Sequence, residues 1–172
     1  MRPARDRQAR LVLLLLAGLA TVACTPSLNW RDVQLGRLST LLPCKPDTAT
    51  RSVTLSGQAV TMEMAGCEAD AALFAISHIQ ADDAAQATQL MAALRTASLA
   101  QVQTLALHPQ TSTGDAQTSL DVLVDGKRPD GSALQARFKW VLAGSEVYQI
   151  AAYAEHLRTE HLEPLLSEVR IR

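Results

Sequence analysis

Ser52-Val-Thr-Leu-Ser-Gly-Gln-Ala-Val-Thr-Met-Glu-Met64 is the stretch of sequence that decides the fold. Apolar and polar residues alternate on both sides of Gly57, so that Val53 and Leu55 fall on one face. Side chains two positions apart share a face of a β-strand, and each half of this stretch can therefore bury one face. Two alternating runs separated by a glycine-containing turn predict a β-hairpin.

Further strands are predicted on both sides of this hairpin. Residues 30–35 are a first strand or turn, and residues 38–46 form a strand that ends at two prolines, which cannot donate hydrogen bonds to a ladder. A turn over residues 66–70 leads into an apolar strand over residues 71–80. The first part of the chain is thus predicted to be a run of antiparallel strands.

A long Ala-rich segment without Gly or Pro predicts a helix from residue 82 to about residue 107. Acidic residues at its start suit the positive end of a helix dipole. Leu90, Met91, Leu94 and Ser98 recur at helical spacing and predict a stripe that faces a core.

Alternation returns after a polar loop over residues 108–115. Strands are predicted over residues 120–124, 136–142 and 146–155, followed by a helix over residues 159–169. Strands interrupted by helices, without a regular β-α-β order, are typical of α+β proteins. We expect one antiparallel β-sheet that is covered by a long central helix and a C-terminal helix.

The first 23 residues are predicted to be a targeting segment. A basic stretch precedes an apolar run over residues 11–20, which is too short to cross a bilayer but fits a signal peptide. Ala20-Thr-Val-Ala-Cys24 resembles the lipobox of bacterial lipoproteins, although Leu is commoner than Thr at the position of Thr21. The resemblance implies cleavage before Cys24 and acylation of that residue, which would anchor the chain to a membrane. An ordinary secretory signal with a chance cysteine is the alternative.

These features predict a lipoprotein of the cell envelope that faces the periplasm. Residues 24–29 would form a short tether, and residues 30–172 a single domain. Residue 25 is Thr rather than Asp, which favours the outer membrane.

Composition and cysteines narrow the possibilities further. Residues 24–172 contain 12 basic and 16 acidic residues, a formal charge of −4, and no basic patch, so nucleic acid is not an expected partner. Cys44 and Cys67 remain as an even pair, which predicts a disulfide in an oxidising compartment. Closing such a loop contributes about 3–4 kcal/mol in the chain-entropy view.

The order of elements resembles that of PsbP-like domains over residues 30–172. The similar parts are the strand with its Pro-x-x-Pro ending at residue 46, the hairpin and long helix, the strand pair from Phe138 to Tyr148, and the terminal Ser-Glu-Val-Arg-Ile over residues 167–171. The resemblance implies an α/β/α sandwich, and members of the family are mostly non-catalytic adaptors. This chain departs from the pattern by its few aromatic residues and its added cysteine pair.

No catalytic motif or phosphate-binding loop is present, so neither an enzyme nor a cofactor is expected. His156 and His161, with nearby carboxylates, could bind zinc, but their spacing of five residues favours a solvated helix start. A metal protein or hydrolase that uses them is the third possibility, after the two functions that follow.

The expected function is that of a non-catalytic envelope lipoprotein that docks on, or helps to assemble, another envelope protein. The alternative is a small-ligand carrier with a pocket between the sheet and the Ala-rich helix. The residues proposed for this ligand or partner face are Trp30, Leu90, Met91, Leu94 and Trp140. Core packing is the favoured interpretation of the same side chains.

Overall fold

The computed structural model describes residues 27–111 and 119–172, which form an α+β fold with two antiparallel sheets and two helices. The proposed signal segment and Cys24 lie outside the described residues. The strands are β1 (Arg31–Leu35), β2 (Leu38–Leu42), β3 (Asp47–Leu55), β4 (Gln58–Ala69), β5 (Ala72–Gln80), β6 (Ala106–Pro109), β7 (Ser119–Lys127), β8 (Ala133–Ala143), β9 (Glu146–Ala154) and β10 (Arg170–Ile171). The helices are α1 (Ala84–Gln101) and α2 (Thr159–Ser167). Neither helix has the length and hydropathy needed to cross a bilayer.

The larger sheet has seven strands in the order β3-β4-β5-β9-β8-β7-β6. The predicted hairpin is confirmed, because β3 and β4 pair from Asp47↔Gly66 to Leu55↔Gln58. Ser56 and Gly57, which join them, have φ angles of 49° and 77°. Such positive values at both turn positions match the twist of a two-residue hairpin.

A second, three-stranded sheet was not expected from the sequence, which predicted only one. Its order is β1-β2-β10, and the two-residue strand β10 pairs with Ser39 and Leu38 of β2. The prediction was wrong because β10 is too short to show a periodic pattern. Its strand conformation depends on a partner about 130 positions away in the chain.

The two faces of the seven-stranded sheet belong to two separate hydrophobic cores. Along β9, Val147 and Ala151 lie in the core beneath α1, whereas Tyr148 and Ile150 lie in the core beneath the small sheet and α2. This alternation follows from the two-residue period of a strand. Both faces are apolar enough to be covered, which explains why β9 is almost entirely buried.

Helix α1 ends at Gln101 rather than near Leu107 as predicted. Beyond it, Leu105 N–H donates to the carbonyl of Asp125 at 2.8 Å, and β6 continues this pairing with β7. Strand β7 also continues past residue 124, where the sequence predicted its end, and includes Gly126. A Cβ atom there would approach the carbonyl oxygen of Val102 to 2.1 Å, so only glycine permits this contact.

The expected turn over residues 66–70 is shorter than predicted. Strand β4 continues to Ala69, and only Asp70 and Ala71, with φ angles of 51° and 58°, reverse the chain. Cys67 is therefore a strand residue, opposite Phe74 of β5. Its disulfide with Cys44 is present, with a Cα–Cα distance of 5.9 Å, and links the end of the small sheet to the large one.

Candidate functional site: a groove at the end of helix α1

The five residues predicted to form a ligand or partner face are divided between the two cores. Leu90, Met91, Leu94 and Trp140 are buried beneath α1, with Trp140 fully inaccessible. Trp30 is half-buried and packs against the opposite core. The five side chains therefore do not share one surface.

Trp140 has its polar atom satisfied within the core. Its Nε1–H donates to the side-chain oxygen of Gln149 at 2.8 Å, and the hydroxyl of Ser98 donates to the same oxygen at 2.6 Å. The guanidinium carbon of Arg95 lies 5.7 Å from the indole centroid. A buried indole with a partner for its N–H is a core residue rather than a ligand platform.

The two histidines considered for zinc have different environments. His156 is exposed, whereas His161 is 1% exposed, and its Nε2 lies 3.0 Å from a carboxylate oxygen of Asp70. Its Nδ1 accepts from the backbone N–H of Arg158 at 3.4 Å, which requires an unprotonated Nδ1. Burial, with a smaller effect of the Arg158 charge, lowers the pKa of His161. No group of three or more metal-ligating side chains occurs within the described residues.

A polar cluster that the sequence did not indicate lies beneath the turn between β1 and β2. The Tyr148 hydroxyl accepts from the backbone N–H of Arg37 at 2.9 Å, and the Arg37 guanidinium forms an ion pair with Glu146. His78 stacks on Tyr148, with ring centroids 4.8 Å apart. Burial raises the pKa of Tyr148 to about 12.

This cluster is covered by the chain itself. A Cβ atom on Gly36 would come within 2.7 Å of the Tyr148 hydroxyl and 3.1 Å of His78 Nε2. Gly36 also has a φ angle of 56°, which disfavours other residues. His78 Nε2 makes no hydrogen bond within the described chain, but it lies 3.5 Å from a carboxylate oxygen of Glu146, and His78 is 8% exposed. The cluster holds the small sheet against the large one.

An open groove lies instead where the large sheet extends beyond the end of α1. We name it the α1-end groove; its volume is about 610 Å³. It is lined by the β4–β5 turn, the last residues of α1, the β7–β8 turn and the strands beneath them. The lining residues are Glu68, Ala69, Asp70, Ala71, Ala72, Leu73, Gln101, Val102, Arg128, Pro129, Leu134 and Tyr153.

The floor of the α1-end groove is apolar. Leu73 and Tyr153 are register partners on β5 and β9, and Leu134 lies on the neighbouring β8. Leu73 is 41% exposed, which is high for a large apolar side chain in the middle of a sheet. The helix leaves it uncovered because α1 ends at Gln101 and the chain turns away into β6.

Tyr153 supplies a polar atom to this floor. Its ring packs edge-on against Phe138 with centroids 5.5 Å apart, and burial raises its pKa to about 12. The hydroxyl is therefore protonated at neutral pH and can donate. The sequence predicts a strand at Tyr153 but contains no signal for the groove, since the groove depends on where α1 ends.

Comparison with protein families and with curated proteins found no match. No protein-family model matches the chain, and no curated protein is significantly similar to it. Any function must therefore be argued from the chain's own residues.

Proposed function

We propose that this chain is a lipid-anchored envelope lipoprotein that docks on another envelope protein and does not act as a catalyst. The proposal places a lipid on Cys24, the domain in the periplasm and the anchor in the outer membrane. The Cys44–Cys67 disulfide supports an oxidising compartment. The proposed fold family is PsbP-like, supported by a sheet with α1 on one face and α2 on the other.

The observation that carries the docking proposal is the free outer edge of β3. This nine-residue strand pairs only with β4 within the described part of the chain, and residues 47–52 are all exposed. It contains no proline, and Arg51 is the only charged residue after Asp47. Proteins usually protect such edges with charges, proline or bulges, because unpaired N–H and C=O groups recruit another strand.

The occupant that fits this edge is an extended segment of another envelope protein. Strand addition obtains affinity from main-chain hydrogen bonds. The exposed side chains of β3 are mostly polar, so main-chain hydrogen bonds rather than an apolar patch would supply most of the affinity. This mode needs neither a catalytic group nor a cofactor.

Crosslinking and affinity capture of the lipidated protein from native envelopes tests the docking proposal. A dominant envelope partner should be captured by the wild-type chain and lost from a Thr48→Lys/Thr50→Lys variant, because lysine protects edge strands. Ala85→Lys, on the exposed side of α1, is the matched control and should retain the partner. Equal capture by all three proteins would show that β3 is not the docking edge.

Lipidation is tested separately by the Cys24→Ser substitution. The wild-type chain should incorporate a labelled fatty acid and partition into detergent, whereas the variant should do neither. Detergent partitioning that is unchanged in Cys24→Ser would contradict the anchor.

A small-ligand carrier is the second candidate function, and the α1-end groove is the observation that favours it. The sequence led us to expect a pocket between the sheet and the helix around Leu90, Met91 and Leu94, but these residues lie in the core. The groove lies instead at the end of α1. Pockets of about 300–1,000 Å³ with an apolar lining and a few polar groups are typical of ligand sites.

A further inference from the structure

The α1-end groove has one unpaired negative group on its wall at β4. Glu68 is exposed and lies opposite Leu73 in the β4–β5 register. Its carboxylate makes no ion pair or hydrogen bond within the described chain. The other groove carboxylate, Asp70, is already paired with Arg158 and contacts His161. Glu68 is therefore the acidic group available to a ligand.

The opposite wall has one positive group that is held in place but only partly used. Arg128 Nη1 donates to the carbonyl of Ala133 at 2.6 Å and lies 3.5 Å from the hydroxyl of Ser132. Its Nη2 and Nε make no hydrogen bond within residues 27–111 and 119–172. The turn thus orients a guanidinium with an edge that remains free to bind a carboxylate.

The spacing of these two groups limits the ligand. Glu68 belongs to β4 and Arg128 directly follows the last residue of β7, and four interstrand steps separate β4 from β7. At about 4.8 Å a step, the two strands are about 19 Å apart. Both side chains can extend towards the floor between them, which leaves room for a ligand about as long as three extended residues, about 10 Å.

We propose that the α1-end groove binds a short peptide of two or three residues with free termini and an apolar side chain. The terminal ammonium pairs with Glu68, the terminal carboxylate pairs with Arg128, and the side chain packs on Leu73 and Leu134. The Tyr153 hydroxyl donates to a peptide carbonyl between the two ends. This inference rests on the second proposed function, ligand binding, and extends it by naming the class of ligand.

Isothermal titration calorimetry of the purified, detergent-solubilised chain tests the proposal with defined probes. The probes are Gly-Leu-Gly, its N-acetylated form, its C-terminal amide and octanoate. Gly-Leu-Gly should bind, and blocking either terminus should weaken binding about tenfold or more, as expected for the loss of a hydrogen bond to a charged group. Octanoate, which has one charge and no ammonium, should bind more weakly than the peptide.

Variants assign each terminus to its residue. Glu68→Gln should weaken the binding of Gly-Leu-Gly about tenfold. It should also remove the preference for a free over an acetylated N-terminus. Arg128→Gln should likewise weaken the binding of Gly-Leu-Gly and remove the preference for a free over an amidated C-terminus. Arg128→Lys should restore part of that preference. Glu163→Gln and Arg31→Gln, both exposed and outside the groove, are matched controls that should bind like wild type.

Three results would overturn the proposal. They differ in whether they also refute the second proposed function, ligand binding. Equal binding of free and blocked peptides, or tighter binding of octanoate, would refute the zwitterionic peptide but leave a small-ligand carrier. Binding that is insensitive to both Glu68→Gln and Arg128→Gln would place the peptide elsewhere. No binding of any probe at millimolar concentration to the folded, disulfide-bonded protein would refute both the ligand class and the second proposed function.

Discussion

The two faces of the seven-stranded sheet are covered in different ways. Beneath α1, the buried polar side chains are neutral: Ser98 and Gln149 form one network with the Trp140 indole. On the opposite face, buried ionisable groups are frequent, and they are His78, Asp121, Lys139, Glu146 and His161. An 18-residue helix covers the sheet with a continuous apolar stripe, whereas a small sheet and a nine-residue helix require polar contacts at their margins.

The contrast has an energetic consequence. A buried ion pair stabilises the folded state little more than an apolar pair of the same shape. Loss of one partner is nevertheless strongly destabilising, because it leaves an uncompensated buried charge. The face beneath α2 should therefore be the more sensitive to single polar substitutions. The α1 face should be the more tolerant of them, provided that its volume is kept.

The largest expected effect is on the Asp121–Arg137 pair. Arg137 forms two hydrogen bonds to Asp121, at 2.5 and 2.8 Å, and Asp121 is 5% exposed. Arg137→Met should lower the free energy of unfolding by about 3–5 kcal/mol, because it leaves the buried carboxylate without its bidentate partner and with Lys139 as its remaining charged neighbour among the described residues. Urea denaturation measures this, with exposed Arg31→Met as the control; equal stabilities would contradict the proposed sensitivity of this face.

Loss of the disulfide should have the next largest effect. Cys44→Ser/Cys67→Ser should reduce the free energy of unfolding by about 2–4 kcal/mol, because the bridge restricts the unfolded chain and ties the two sheets together. The same denaturation assay applies. In wild type, Cys44 and Cys67 should resist thiol labelling after unfolding unless reductant is added; labelling without reductant would show that the bond is absent.

On the α1 face, Gln149→Leu should have a smaller effect, about 1–3 kcal/mol. The substitution approximately keeps the volume but removes the acceptor for Trp140 N–H, whereas the Ser98 hydroxyl keeps the carbonyl of Leu94 as an acceptor. Gln89→Leu, on the exposed side of α1, is the matched control and should change stability by less than about 0.5 kcal/mol. A cost as large as that of Arg137→Met would remove the distinction between the faces.

The smallest expected effect is a pH dependence from His161. Burial lowers its pKa, so the folded protein disfavours protonation, whereas the unfolded chain binds a proton near pH 6.5. The contribution of His161 to stability should therefore be constant above about pH 6.5 and fall as the pH decreases below that value. His161→Gln should flatten this dependence and exposed His156→Gln should not; identical pH profiles for wild type and His161→Gln would refute the assignment.

Local periodicity predicted the elements better than their ends. The β3–β4 hairpin, the strand β5 and the helical stripe of Leu90, Met91 and Leu94 follow from patterns of two or 3.6 residues within one segment. The end of α1 was predicted six residues too late. The segment after it contains no Gly or Pro. The helix ends in a left-handed turn at Gln103, whose φ angle is 42°, and the N–H groups of Gln103 and Thr104 donate back to the carbonyls of Ala100 and Leu99. Leu105 and β6 then pair with the distant strand β7.

The groove could not be predicted for the same reason. Glu68, Tyr153 and Arg128 lie in three distant parts of the sequence, and strand order rather than spacing brings them to one end of the sheet. No pattern in the chain marks them as neighbours.

The sequence by itself determined which side chains can face a core and, through cysteine number and composition, that Cys44 and Cys67 should pair. It also carries the prediction of export and lipidation, since these depend on a local segment ending at Cys24. Only the tertiary structure decided that β10 joins β2 in a second sheet, that charged groups cluster on one face, and that the α1-end groove stays open. The physical reason is range: side-chain periodicity acts over a few residues, whereas hydrogen bonds between distant strands fix the order, the ends and the gaps.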